Sequence, residues 1–155
     1  MRTRRILVSL LSLAAATLTA WAGPYGTYYR NLPAAVAGKM SEPELPVIPD
    51  FSVSLTEFGG VGDGVTDNTL AFEKAVAALV KQGGGHLVVP AGLFLTGPVT
   101  LKDHIDLHLE RNAMVMLTPD RAAHLKNGKA QPGINASKRT DISITGEGVI
   151  DGNVE

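Results

Sequence analysis

The stretch FGGVGDGVTDNTLAFEKAVAALVKQGGG, residues 58–85, is either a loop that binds phosphate or calcium or a turn that begins a fold. Apolar residues follow the glycines at the i, i+4, i+7 and i+8 spacing of one helical face: Phe72, Val76, Leu79 and Val80, flanked by Ala71, Ala75 and Ala78. This spacing predicts an amphipathic helix near residues 67–82. Thr66 or Asp67 is expected to accept amide hydrogens of its first turn, and Gly83 to Gly85 to supply the left-handed conformation that ends it.

The glycines match neither of the common phosphate-binding loops. A dinucleotide fingerprint starting at Gly60 has Val65 in place of its third glycine, and a P-loop starting at Gly59 has Val65 where lysine is required. Asp63 and Asp67 are close enough in sequence to suggest calcium, but the distal glutamate of an EF-hand is absent. Both aspartates are therefore interpreted as turn and helix-cap residues.

Short runs typical of β-strands lie on both sides of the helix. One begins at Val53, and the others follow the helix in quick succession, with glycine, proline or asparagine in most gaps: HLVVP (86–90), LFLTG (93–97), PVTL (98–101), HIDLHLE (104–110), AMVML (113–117), ISITG (142–146) and GVID (148–151). Similar strand pairs separated by glycine-bearing corners predict a β-solenoid of stacked coils. A β-sandwich is the alternative, but it gives no reason for one helix placed before these strands.

The N-terminal residues predict export. Arg2, Arg4 and Arg5 precede an apolar run that ends near Ala20, so residues 1–22 are interpreted as a signal peptide. A membrane anchor is the alternative, but the run is shorter than the roughly 20 residues needed to span a bilayer. The expected location is secreted or periplasmic, without membrane attachment after signal removal. Residues 23–50, with five prolines, are predicted to form an extended leader.

The overall charge argues against nucleic acid as a partner of this protein. The chain has 155 residues, 45% of them apolar, and a net charge of −1. Removing the three arginines of the signal leaves 11 of the 14 basic residues against 15 acidic ones, or about −4. Binding an acidic polymer would therefore need a local basic patch. Because there is no cysteine, an exported chain must be stabilised by its core rather than by disulfides.

Four segments together resemble the N-terminal part of the polygalacturonase family of pectin-degrading enzymes, glycoside hydrolase family 28 of the pectin lyase-like superfamily: GGVGDGVTDNTLAFEKAV, GGGHLVVPAGLFLTGPVTL, IDLHLERNAMVML and ISITGEGVIDG. The resemblance implies a right-handed parallel β-helix over residues 51–155, with the glycine segment and helix as its N-terminal cap. It also implies hydrolysis of galacturonan, an acidic plant polysaccharide of pectin, by general acid and base catalysis.

The catalytic motifs of that family do not occur in this sequence in the expected order. The resemblance therefore assigns no catalytic residue, no cofactor-binding residue, no metal ligand and no cofactor to this sequence. The domain is expected to be incomplete at its C-terminus, where Asn153-Val154-Glu155 departs from the family pattern, and the isolated chain is expected to be inactive. The alternatives are a non-catalytic β-helix module that binds polysaccharide or serves as a scaffold, and a pectate-lyase-like enzyme.

The remaining polar residues in the predicted strands have structural interpretations. His104 and His108 are expected to lie roughly 13 Å apart on one strand, which is too far for one metal ion, and to face solvent. Asp106 and Glu110 have the same spacing and are expected to be surface charges. Asp151, before Gly152, is interpreted as a turn residue. Asn135-Ala136-Ser137 is a glycosylation sequon, which applies only in a eukaryotic host.

Overall fold

The structure is a computed structural model that describes residues 44–153. The predicted signal peptide and residues 23–43 of the predicted leader lie outside the described residues. Within the described part, the chain contains no helix whose length and hydropathy would let it cross a bilayer.

The described chain is dominated by short strands. A strand β1 (Ser52–Ser54) and a 3-10 helix (Leu55–Phe58) precede β2 (Asp63–Asp67) and the helix α1 (Thr69–Lys81). The strands that follow the helix are β3 (Gly85–Val89), β4 (Gly92–Thr96), β5 (Val99–Thr100), β6 (Ile105–Leu109), β7 (Ala113–Leu117), β8 (Leu125–Lys126), β9 (Lys129–Ala130), β10 (Ile134–Asn135), β11 (Ile142–Gly146) and β12 (Val149–Asp151).

The strands wind into four stacked coils. One four-stranded parallel sheet has the order β1-β3-β6-β11, and a second has the order β12-β7-β4-β2. A short parallel pair, β5 with β10, forms a third side. Coil 1 thus contains β1 and β2, coil 2 contains β3 to β5, coil 3 contains β6, β7 and β10, and coil 4 contains β11 and β12. The prediction of a parallel β-helix is confirmed.

The interior is filled by apolar side chains stacked from coil to coil. Leu87, Leu107 and Ile144 occupy successive positions of the first sheet. Leu87 and Leu107 are fully buried, whereas Ile144, in coil 4, is 50% exposed. Since each coil covers the one before it, the apolar surface of coil 4 is the open face of the described stack.

Helix α1 packs against β1, β3 and β5, and the prediction of an amphipathic helix is confirmed. Phe72 and Leu79 are buried in the core, but Val80, predicted on the same face, is 49% exposed. The Asp67 carboxylate accepts the amide hydrogen of Thr69 at 2.9 Å, as predicted for the first turn, whereas Thr66 makes no such bond to the helix. Gly83, with φ +85°, supplies the left-handed conformation after the helix.

The glycine segment before the helix was predicted as a loop, and this prediction is wrong in part, because residues 63–67 form strand β2 of the second sheet. Gly62 approaches the Phe94 ring so closely that a Cβ atom there would lie 2.9 Å from it. A larger residue at this position would displace the aromatic ring from the core. The segment is therefore part of the first coil.

Candidate functional site

The outer face of the β1-β3-β6-β11 sheet carries a polar network centred on Asp106. His86, Asp106 and Ser143 are direct partners on three neighbouring strands, so their side chains form one column across coils 2, 3 and 4. Asp106 was predicted to be a surface charge, and this prediction is wrong. Asp106 is only 2% exposed, because the neighbouring side chains cover its carboxylate.

Three side chains donate hydrogen bonds to this carboxylate. The Ser143 hydroxyl donates to Oδ1 at 2.6 Å, and the Thr145 hydroxyl donates to Oδ2 at 2.8 Å. The His86 Nδ1 atom lies 2.9 Å from Oδ2. An ionised carboxylate only accepts hydrogen bonds, so this nitrogen carries the proton.

The pKa of Asp106 reflects a balance between burial and these hydrogen bonds. Burial raises the pKa of the carboxyl, but the hydrogen bonds from Ser143, His86 and Thr145 together outweigh it and leave the pKa below its usual value. Asp106 is therefore held ionised, which meets the requirement that a buried charge be paired and hydrogen-bonded.

His108 joins the network through Thr145. Its Nδ1 atom lies 2.7 Å from the Thr145 hydroxyl oxygen and 4.0 Å from Asp106 Oδ2. Since the single hydroxyl hydrogen of Thr145 goes to Asp106, the hydroxyl accepts from His108. The side chains of His86 and His108 remain 35% and 41% exposed. The two histidine rings are thus partly exposed, whereas the Asp106 carboxylate is buried.

His104 and Glu110 lie just outside strand β6, one at each end. His104 occupies the turn before β6 with φ 59°, and its Nδ1 atom lies 3.0 Å from the Asp141 carboxylate. Glu110 follows β6 and is exposed. The structure therefore does not place Asp106 and Glu110 as an equivalent pair on one surface.

The aspartates of the glycine segment are used in local hydrogen bonds. The Asp63 carboxylate accepts the amide hydrogens of Thr66 and Val65 at 2.8 and 2.9 Å. These bonds, that of Thr66 first, lower the pKa of Asp63 to about 2. Among residues 44–153, no group of three or more potential metal-binding side chains is brought together.

Asn68 is a buried residue of this segment that sequence reasoning missed. Its Oδ1 atom accepts the amide hydrogen of Val61 at 2.7 Å, and its Nδ2 atom donates to the carbonyls of Val61, Thr66 and Leu95 at 3.1, 2.8 and 3.0 Å. The side chain thus ties the glycine segment to β4. An asparagine directly before an amphipathic helix is a capping signal, but nothing local identifies its contact with residue 95.

Two further polar residues singled out from the sequence also have local partners. The Asp151 carboxylate, at the end of β12, accepts the amide hydrogen of Asn153 at 2.8 Å, in keeping with a turn residue. The Asn135 side chain accepts the amide hydrogen of Ser137 at 3.0 Å.

A cleft of about 550 Å³ lies beside the connection from β7 to β10. Its lining includes Thr118, Arg121 and His124 from that connection and Asn153 from the end of coil 4. Guanidinium, imidazole, hydroxyl and amide groups suit a ligand that carries carboxylates and hydroxyls. These residues follow no motif, so nothing in the sequence alone marks them as a site.

Comparison with known proteins relates this fold to enzymes that act on galacturonan. A probable polygalacturonase of Vitis vinifera is 40% identical over 119 residues, which cover 65% of this chain and 24% of that protein. An exo-poly-alpha-D-galacturonosidase of Dickeya chrysanthemi is 33% identical over 118 residues, with 65% and 19% covered. The crystal structure of a hyperthermoactive exopolygalacturonase from Thermotoga maritima matches with a TM-score of 0.68 and 39% identity, over 72% of this chain and 27% of that one.

These matches are partial on the side of the relatives. The chain spans between about a fifth and a quarter of the length of these two curated relatives. No family model matches the sequence. The solved structure nevertheless matches the described coils in fold, and the chain has the right-handed parallel β-helix fold of the polygalacturonase-type glycoside hydrolases.

Proposed function

We propose that this chain is the N-terminal part of an exported glycoside hydrolase that cleaves galacturonan in pectin. The observation that carries the proposal is the agreement between two sequence relatives and a solved structure, all named for polygalacturonase or galacturonosidase activity. The parallel coils of residues 52–151 supply the matching scaffold.

The proposal assigns catalysis to residues outside the described coils. Inverting hydrolysis of a glycosidic bond needs two carboxyl groups roughly 6.5–9.5 Å apart, with room for water and sugar between them. The buried carboxylate of Asp106 is enclosed by three hydrogen bonds, and Asp63 and Asp67 are engaged in turn and cap bonds. The proposed role of the described coils is to support and extend the catalytic surface.

The open face of coil 4 supports this assignment. Ile150 is 37% exposed, whereas its partner Val115 in the preceding coil is fully buried. A further coil stacked on β11 and β12 would bury Ile144 and Ile150 in the way that coil 4 buries coil 3. We propose that such coils carry the catalytic carboxylates.

The test is to assay two purified forms on polygalacturonate: the 155-residue chain and a form extended through the downstream reading frame. We expect the extended form to release reducing ends and the short form to release none. Release by the short form that is lost in Asp106→Asn or Glu110→Gln would place the active site in these coils instead. Formation of ultraviolet-absorbing unsaturated ends would identify a lyase, and binding without cleavage by the extended form would identify a polysaccharide-binding module.

Export is a second part of the proposal. It rests on residues 1–22, whose charged start and apolar run lie outside the described residues. Cleavage after Ala22 would remove Trp21, the one tryptophan of the chain, so the exported protein should show tyrosine emission without tryptophan emission. Tryptophan fluorescence from purified exported protein would contradict this cleavage site.

A further inference from the structure

One corner of the solenoid differs sharply between consecutive coils. In coil 2, only residues 97–98 separate β4 from β5. In coil 3, residues 118–133 separate β7 from β10, although β7 pairs with β4 and β10 pairs with β5. Residues 118–133 are called the coil-3 insertion. Since two residues are enough to form the same corner in coil 2, the coil-3 insertion is not needed to close the coil.

The coil-3 insertion is basic while the coils before it are acidic. It contains Arg121, Lys126 and Lys129 together with His124, and one acidic residue, Asp120. By contrast, residues 44–117 contain four basic and nine acidic residues. The Asp120 carboxylate accepts the amide hydrogen of Ala122 at 2.8 Å. Among the described residues, no carboxylate forms a salt bridge with the three cations.

The tip of the insertion holds two of these cations side by side. β8 and β9 form an antiparallel hairpin in which Lys126 is the direct partner of Lys129. Asn127 and Gly128, with φ 51° and 72°, occupy the turn between them, and two positive φ angles are the requirement of the tight hairpin turn. Like charges directly opposite each other destabilise a strand pair. A bound anion would relieve this repulsion.

The base of the insertion lines a cleft. Arg121 and His124 line the cleft of about 550 Å³ together with Thr118 and Asn153. The His124 Nε2 atom donates to the Thr118 carbonyl at 2.8 Å, which fixes the ring at the wall of the cleft. The Asn153 side chain donates to the neighbouring Leu117 carbonyl at 3.1 Å, which fixes this amide at the cleft as well. An arginine beside fixed polar groups can bind a carboxylate through paired hydrogen bonds.

We propose that the coil-3 insertion is a binding surface for the carboxylates of a galacturonan chain, with Arg121 in the cleft and Lys126 and Lys129 at the hairpin tip. The proposal rests on the proposed function for its choice of polyanion. A polymer with a carboxylate on each sugar can contact Arg121 and the two lysines at the same time, through different sugars. The surface positions substrate and does not take part in bond cleavage.

The test measures binding of short polygalacturonate oligomers to the full chain by titration calorimetry at low and high salt. The double variant Lys126→Gln/Lys129→Gln should weaken binding about fivefold at low salt, and Arg121→Gln about tenfold. The control is Lys74→Gln/Lys81→Gln, which removes the same charge from exposed positions of α1 and should leave binding within about twofold. Circular dichroism verifies that each variant is folded, and the hairpin variant should be no less stable than the parent chain.

Binding of two other polymers tests whether the surface recognises uronate carboxylates. Highly methyl-esterified pectin, which has the same backbone without the charges, should bind more weakly than polygalacturonate. Dextran sulfate binding as tightly, with the same loss in the variants, would overturn the assignment to a uronate chain. Equal binding by the parent chain, the Lys126/Lys129 double variant and the Arg121 variant would show that the coil-3 insertion is not the binding surface.

The inference and the proposed function can fail separately. In the extended form, hydrolysis with an unchanged KM in the hairpin variant would leave the function standing and reject the surface. Loss of binding in the variants without any hydrolysis by the extended parent would retain the surface and reject the enzyme. An increase in KM with unchanged kcat in the hairpin variant is the result that supports both.

Discussion

Two buried polar side chains, Asn68 and Asp106, stabilise the molecule in different ways. Asn68 joins the glycine segment to β4 through four hydrogen bonds to main-chain groups. Asp106 joins three coils through hydrogen bonds from side chains. The neutral amide is bound to atoms that every residue possesses, whereas the carboxylate depends on its charge and on the identity of its neighbours. The contribution of Asn68 to stability should therefore be independent of pH, whereas that of the Asp106 network should depend on it.

The largest expected effect is that of Asn68→Ala. The change leaves the amide and carbonyl of Val61 and the carbonyl of Thr66 without this partner, while the Leu95 carbonyl keeps the main-chain amide of residue 68. We expect the free energy of unfolding to fall by about 3 kcal/mol. Urea unfolding followed by circular dichroism measures it. Asn68→Asp keeps the acceptor for Val61 but loses the three donated bonds, and should also destabilise. A loss below about 0.5 kcal/mol in Asn68→Ala would show that water replaces these bonds.

A smaller effect is expected for Asp106→Ala. The donors that lose the carboxylate include the half-buried His86 and the exposed Thr145, which water can reach, so we expect a loss of about 2 kcal/mol in the same measurement. Glu110→Ala is the matched control, because this exposed carboxylate follows the same strand and should change stability by less than about 0.5 kcal/mol. Equal effects of the two substitutions would restore the interpretation of Asp106 as a surface charge.

Asp67→Ala tests the hydrogen bond at the start of α1. Loss of the bond to the Thr69 amide should cost about 1 kcal/mol. Glu73→Ala, on the exposed face of the same helix, removes a carboxylate without removing a bond to the first turn. An effect no larger than that of the Glu73 control would remove the capping role of Asp67.

The smallest effect expected is the pH dependence of the Asp106 network. Because the folded-state pKa of Asp106 is lowered, its contribution is fully present above the unfolded pKa of about 3.9 and is lost as pH falls through the folded value. The difference in stability between the parent chain and Asp106→Asn should therefore be larger at pH 7 than near pH 3. The corresponding difference for Asn68→Ala should stay constant. A parallel decline in both differences would mean that acid weakens the fold in general.

The sequence was sufficient to predict the coils and the helix, since short apolar runs between glycine corners and a 3.6-residue period are local patterns. It was insufficient for strand β2, because Gly62 and Gly64 are typical of loops and the pairing with β4 depends on contacts with Leu93 and Leu95. The hairpin of β8 and β9 was missed although Asn127-Gly128 is a strong turn signal, since its flanking strands have only two residues each.

The environment of Asp106 was hidden for a different reason. Alternation along β6 correctly places its side chain on the outer face, where a charge is normally solvated. Its burial comes from His86 and Ser143, which lie 20 and 37 positions away in sequence. Stacking GHLVV, IDLHL and ISITG strand upon strand would have brought these residues into one column. Register between coils, rather than periodicity within one coil, is the information that was needed.

The column through Asp106 has a consequence for how the coils unfold. Solenoid stability is ordinarily a sum of repeat energies and nearest-neighbour interface energies, which lets end coils fray one at a time. A carboxylate that accepts hydrogen bonds from coil 2 and coil 4 contributes to the interfaces on both sides of coil 3. Removing it weakens two interfaces together. Amide hydrogen exchange should therefore show coils 2 to 4 opening as one cooperative unit in the parent chain, and separately once Asp106 is replaced.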